Sequence, residues 1–219
     1  MAELTIRESL NKALKEALDN NENVFLMGED IGMYGGPYAV TKGLLEEYGS
    51  EKIMDTPISE SGFVGAAIGA SMAGMKPIVE IMTINFSLLA IDQIVNHAAK
   101  IHYMSDGQLS VPIIIRTVTG AGGRLAATHS QSFEGWYASV PGLKVVSPSN
   151  AIDALGLFRS AINDNNPVIF VEHSMLYGVK NEIPDQYYET PIGLPKVLEK
   201  GDDLTLIAWS GMIPLAKSI

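Results

Sequence analysis

No cysteine occurs in the 219 residues, and that absence excludes disulfides, thiolate nucleophiles and Cys-ligated metals together. It fits a reducing compartment, and a cytoplasmic location is expected. Long hydrophobic runs are missing as well. The longest weakly polar stretch, Gly62 to Met75, is rich in Gly and Ala and falls short of the roughly 20 apolar residues that a bilayer span needs. The opening MAELTIRESLNKAL is charged from its third residue and has no apolar centre, so a soluble protein without a secretory signal is expected. Cations are scarce: 15 Lys and Arg face 25 Asp and Glu, a net charge of −10 with no basic cluster. Such a chain suits neither nucleic acid nor an anionic membrane as a partner. Most of the acidic surplus reads as solvated surface, although it would also suit docking to a basic protein.

What is present supports one full core, with 47% of residues hydrophobic and some chain left over. Thr5-x-x-Glu8 is a capping box that opens a helix with Ile6, Leu10, Ala13, Leu14 and Leu18 on one face. Val24–Met27 predicts a buried strand, with a Gly-rich loop from Gly28 to Gly36 and a short helix near Thr41–Tyr48 after it. Ile53–Asp55 predicts another strand, leading through Pro57 and Glu60 into a small-residue helix, Ser61–Met75. Strands are further predicted at Ile78–Ile81, Val111–Ile115, Lys144–Val146 and Val168–Val171. A long helix from about Ser87 to Met104 and a helix capped by Asn150 lie between them. Apolar strands alternating with helices predict an α/β fold, a parallel sheet with helices on both faces. From Asn181 to Lys200 three prolines and the loss of periodicity mark a connector. Asp203–Trp209 then reads as a strand and Met212 onward as a helix, the expected start of a second α/β domain cut short at Ile219.

Ligands of doubly wound sheets bind beyond the carboxyl ends of the strands. The residues just past the predicted strands are Glu29 and Asp30, Ser59 and Glu60, then Met82, Asn85 and Phe86. Arg116 with the loop Thr119–Gln131 comes next, and Glu172 and His173 come last. Glu60 precedes Gly62, Gly65 and Gly69, a spacing that lets another backbone approach closely. On residue context Glu60 is either a carboxylate favoured by the helix dipole, the commoner role, or a catalytic group. His129 is likewise either a satisfied polar residue or an active-site group on a mobile loop. Gly120-Ala-Gly-Gly-Arg124 matches neither the dinucleotide fingerprint nor a P-loop. There is no Gly-x-Ser-x-Gly nucleophile motif, and His97, His102 and His173 lack zinc-ligand spacing.

Three segments carry a family resemblance: DTPISESGFVGAAIGASMAGMKPIVEIMTINFSLLAIDQIVNHAAK (55–100), THSQSFEGWYASVPGLKVVSPSN (128–150) and SAINDNNPVIFVEH (160–173). In order and spacing the chain resembles the beta subunit of the decarboxylating component of a 2-oxo acid dehydrogenase complex, of the pyruvate dehydrogenase type. The similarity runs from about Leu4 to Ile219. It implies a transketolase-like pyrimidine-binding domain over 1–180, the connector at 181–200, and the start of a carboxy-terminal domain at 201–219.

The resemblance implies thiamine diphosphate as cofactor, with Glu60 hydrogen-bonded to a ring nitrogen of the aminopyrimidine. Burial against that ring is expected to raise the carboxyl's proton affinity. Ile58, Met82 and Phe86 match aminopyrimidine-contacting positions, Phe86 as the stacking ring, and Glu29 fits a secondary polar contact. His129 matches the histidine linked to substrate and to acyl transfer onto a lipoyl group. Ile113, Ala161, Ile162, Asp164 and Asn166 match positions where some members bind K+ partly through backbone oxygens.

The Gly-Asp-Gly…Asn motif that holds diphosphate and Mg2+ is missing; Ser105-Asp106-Gly107 and Gly201-Asp202-Asp203 do not reproduce it. The resemblance therefore implies an alpha subunit that supplies that half, in an alpha2beta2 heterotetramer, with activity only in the assembly. A lipoyl acyltransferase component and a small 2-oxo acid complete the implied partners. Pyruvate is the leading substrate, with acetoin or a branched-chain 2-oxo acid as alternatives. The alternative of a different class is a non-catalytic assembly subunit.

Overall fold

The computed structural model describes residues 2–219 and builds them around one parallel sheet. The strands are β1 (Ala2–Thr5), β2 (Val24–Gly28), β3 (Ile53–Asp55), β4 (Lys76–Ile81), β5 (Ile114–Thr119), β6 (Lys144–Val146), β7 (Val168–His173) and β8 (Lys180–Ile183). Six of them pair in parallel in the order β3-β2-β4-β5-β7-β6. The expected α/β class is what the chain adopts.

The helices in chain order are α1 (Ile6–Asn20), α2 (Leu44–Tyr48), α3 (Glu60–Met72), α4 (Ile101–Met104), α5 (Glu134–Ala138) and α6 (Ala151–Asn163). They cover both faces of the sheet, which is why the strands are apolar on both sides rather than alternating. On one face α1 and α6 bury Leu10, Leu14, Leu155 and Phe158 against Leu26, Ile78, Ile114 and Phe170. The other face carries α3, the segment 84–98 and α5, packing Phe63, Val64, Ile94 and Tyr137 on Val79, Ile81, Ile115 and Val171. The capping box at Thr5 and Glu8 forms in full, and Asn150 accepts from the Asp153 backbone N–H.

Four elements differ from the sequence reading, the first being β5, which runs Ile114–Thr119 where a strand over Val111–Ile115 is expected, and so takes Arg116 into the sheet. The expected long helix is broken into a 3-10 turn (Phe86–Ala90), a π turn (Gln93–Ala98) and α4. In the π turn the Ala99 N–H reaches the Ile94 carbonyl at 3.1 Å, and the wider winding leaves both Ile94 and Ala98 buried. β1 and β8 form an antiparallel pair that ties the start of the chain to the segment after β7. Asp203–Trp209, read as a strand, forms none among the described residues. A last short helix, α7 (Met212–Ala216), comes after it. Among the described residues no helix is long and apolar enough to cross a membrane.

Candidate functional site

The chain leaves β2 towards β3 on one side and leaves β4 towards β5 on the other, so the connections diverge between β2 and β4. Such a switch point opens a crevice at the carboxyl edge of the sheet. Gly28 ends β2 there, and no side chain fits at that position: a Cβ would meet the Glu80 backbone oxygen at 2.5 Å.

Two carboxylates crowd this crevice. Glu29 comes directly after β2 and is 6% exposed; Glu60 is the first residue of α3 and is 4% exposed. The Glu29 Oε1 atom is buried without a hydrogen-bond partner, and neither carboxyl has a cation beside it among the described residues. Burial pushes the Glu29 carboxyl above its ordinary 4.5, the neighbouring Glu60 pushes it further, and the Ser59 backbone N–H opposes both. Unpaired buried acceptors are costly, so the pair is poised for a ligand that brings N–H or O–H donors.

Apolar and aromatic groups complete the crevice. Met82 and Phe86, beyond the end of β4, are half-buried, while Ile58 is 83% exposed. His129, in the loop after β5, is half-buried, with its ring edge-on to Phe86 at 5.2 Å between centroids. Its Nδ1 lies 2.9 Å from the Thr128 hydroxyl. Glu60, Glu29, Met82, Phe86 and His129 therefore come from the connections after β3, β2, β4 and β5, four neighbouring strands. A half-exposed ring beside buried carboxylates suits a planar heteroaromatic bearing polar hydrogens, and a neighbouring histidine suits proton transfer.

The candidate cation residues lie elsewhere, at the amino edge of the sheet. The Ile113 carbonyl accepts from the Val168 N–H at 2.9 Å and the Ala161 carbonyl from the Asp164 N–H at 3.2 Å. The Ile162 carbonyl accepts from the Lys76 ammonium at 2.9 Å. The Asp164 carboxylate takes the Lys144 ammonium and both the backbone and side-chain N–H groups of Asn166. Burial works against the Asp164 charge, yet Lys144 and Asn166 hold its carboxyl below the usual value. Among the described residues no group of three or more His, Asp or Glu side chains could hold a metal ion.

Sequence reasoning placed Arg116 and Glu172 on the rim but missed their link to Glu80. Arg116, 2% exposed in mid-strand, donates through Nε and Nη2 to both oxygens of Glu172 at 2.7 and 2.9 Å. Its Nη1 donates to Glu80 Oε2 at 2.6 Å, and the Tyr177 hydroxyl donates to Glu172 at 2.7 Å. A signal existed, since a charge in mid-run in KPIVEI, IIRTVT and VIFVEH must find its opposite on a neighbouring strand. Behind the loop that carries His129, His173 packs so closely under Gly120 that a Cβ there would meet the ring at 2.7 Å. Desolvation lowers the His173 pKa, against the pull of Glu134.

Comparison with known proteins places this geometry in a family. The pattern described as "Transketolase, pyrimidine binding domain" matches residues 2–180. Pyruvate dehydrogenase E1 component subunit beta-1, mitochondrial, of Arabidopsis thaliana is 49% identical over 218 residues, covering 98% of this chain and 60% of that protein. The subunit beta of Mus musculus is 50% identical over 212 residues, 95% of this chain and 59% of its own length. That of Rhizobium meliloti (strain 1021) is 50% identical over 210 residues, 95% and 46% respectively. The chain thus spans about 60% or less of the curated relatives it matches. Among solved structures, a "Split gene transketolase, inactive beta4 tetramer" superposes with a TM-score of 0.77 at 20% identity, covering 98% of this chain and 66% of the other. At that identity the likeness speaks for the fold alone.

Proposed function

The chain belongs to the family of transketolase pyrimidine-binding domains, and from that premise we propose that it serves as the beta subunit of a pyruvate dehydrogenase decarboxylating component. Identity near one half to three beta subunits of that name supports the reading. The observation that carries it is the pair of buried carboxyls at the switch point, Glu29 and Glu60, which have no cation beside them among the described residues.

The cofactor read into this crevice is thiamine diphosphate, which when bound supplies an electron sink for the pair left behind as CO2 departs. Glu60 would accept a hydrogen bond from a nitrogen of the aminopyrimidine and share a proton with it. The raised pKa of Glu29 allows that carboxyl to hold a proton of its own, and so to donate as well as accept. Phe86 offers a face for ring stacking, with Met82 and Ile58 as apolar flanks that keep water from the exchanging proton. His129, against Phe86, is the group that would give a proton to the lipoyl sulfur that leaves as the disulfide opens during acyl transfer.

An alpha-type subunit is the proposed holder of the diphosphate and its Mg2+, because this chain has no Gly-Asp-Gly…Asn motif. Large exposed apolar side chains on the rim loops suit such a cover: Met33 and Tyr34, Ile58, Leu125 and Met175. K+ at the Ile162 and Asp164 oxygens would have to share them with the Lys76 and Lys144 ammonium groups.

The test is reconstitution with an alpha-type partner, thiamine diphosphate and Mg2+. Carbon dioxide release from pyruvate is expected. Acetaldehyde release from acetoin alone, or turnover of branched-chain 2-oxo acids alone, would move the substrate assignment. An assembled complex inert towards all of them would establish a non-catalytic assembly subunit instead.

A further inference from the structure

We infer that Asn85 is a positioning residue for His129, clasping the loop after β5 to the turn after β4. The turn is itself anchored on β5. The Val118 carbonyl accepts from the Ile84 N–H at 2.8 Å and from the Thr83 hydroxyl at 3.3 Å. Asn85, 7% exposed, donates through Nδ2 to Thr83 Oγ1 at 2.8 Å. That bond fixes the orientation of the amide and turns its oxygen outward.

Oδ1 of Asn85 then accepts twice from Gln131, from the backbone N–H at 3.1 Å and from Nε2 at 3.2 Å. Gln131 lies two residues after His129, and Asn85 immediately precedes Phe86. The polar contact between 85 and 131 and the ring contact between 86 and 129 thus form a two-point attachment. At its base the loop is also tied by Thr119 Oγ1, which donates to Ser132 Oγ at 3.0 Å, but its outer part is held weakly. Residues 121–128 are exposed, and Arg124 and Ala126 adopt φ of +50° and +70°, a region non-glycine residues rarely occupy. Without the Asn85 acceptor, the polar half of the attachment next to the histidine is lost.

The inference rests on the reading of His129 as the acyl-transfer group. Displacement of a reacting group by about 1 Å costs on the order of 10²-fold. Asn85→Ala, in the assembled complex with its alpha partner, is expected to slow acylation of a lipoyl domain by about 10–100-fold. Decarboxylation read with an artificial electron acceptor should change little, because that step does not pass through His129. Asn85→Asp retains the acceptor oxygen but loses the Nδ2 donor to Thr83, and should restore only part of the lost acylation.

Deuterium uptake by amides 120–131 reads loop position independently of activity, and it should rise more in Asn85→Ala than in Asn85→Asp. Gln131→Ala, at an exposed position, is the second variant and should show the same loop exchange at smaller amplitude. Uptake unchanged in both Asn85→Ala and Gln131→Ala overturns the clasp whatever happens to the rates. Raised uptake with normal acylation overturns the positioning role. A wild-type complex that decarboxylates pyruvate but never acylates a lipoyl domain sinks the assignment of His129, while the exchange result still decides the clasp.

Discussion

Besides Glu134 at the start of α5, four glutamates are buried near the carboxyl edge of the sheet, and these four divide into two unlike pairs. Glu80 and Glu172 share the Arg116 guanidinium, with Tyr177 donating a fourth hydrogen bond. Burial alone would lower the Arg116 pKa, but Glu172 and Glu80 raise it further still, so the cation is permanent. Desolvation raises the Glu172 pKa, against the pull of Arg116. Among the described residues Glu29 and Glu60 have no cation beside them, and one Glu29 oxygen has no partner. A folded chain tolerates two uncompensated buried carboxyls only where something else is to meet them. On the proposed reading the paired set belongs to the framework and the unpaired set to the cofactor.

The largest effect separating the two pairs should come from Glu60→Gln. In the complex with its alpha partner it is expected to lower pyruvate decarboxylation about 10²–10⁴-fold, the usual scale of a positioned acid–base group. Its melting temperature should stay at the wild-type value; a fall in stability as large as the fall in rate would make Glu60 a framework residue after all.

Arg116→Leu should do the reverse, leaving two buried carboxylates without their cation and costing about 3–5 kcal/mol of stability. The midpoint of urea unfolding measures it, and an unchanged midpoint would mean that the network contributes nothing. Tyr177→Phe removes only one hydrogen bond to Glu172, for a smaller loss of about 1.5 kcal/mol in the same experiment.

The subtlest difference is in pH dependence. Folded Glu29 keeps its proton to higher pH than an unfolded carboxyl near 4.5 does. Its contribution is thus fully present below the unfolded value and is lost as pH rises through the raised folded one. Glu29→Gln should flatten the decline of stability across that interval; parallel curves for the two proteins would show that the carboxyl is not perturbed.

Much of the framework could be read from the chain itself. A capping box, apolar strands and intervening helices give the α/β class, and the residues just beyond each strand end bring Glu29, Glu60, Phe86 and His129 to one edge. The failures have physical causes. β1 and β8 are four residues each and lie far apart in sequence, so their pairing leaves no local periodicity. The broken helix before Met104 sets Gln93 beside Gly65 of α3, a tertiary contact that local periodicity does not announce. Asp203–Trp209 has strand composition, but composition alone does not make a strand without a paired backbone. The Asn85–Gln131 contact joins two loops, where side-chain geometry carries the information and spacing carries none.

Exchange of the thiazolium carbon-bound proton for deuterium, monitored by NMR on the assembled complex, tests the role of the Glu60 carboxyl most directly. Glu60→Gln should bind thiamine diphosphate yet slow that exchange by about 10²-fold or more. Exchange at the wild-type rate in a complex that holds the cofactor normally would contradict the account.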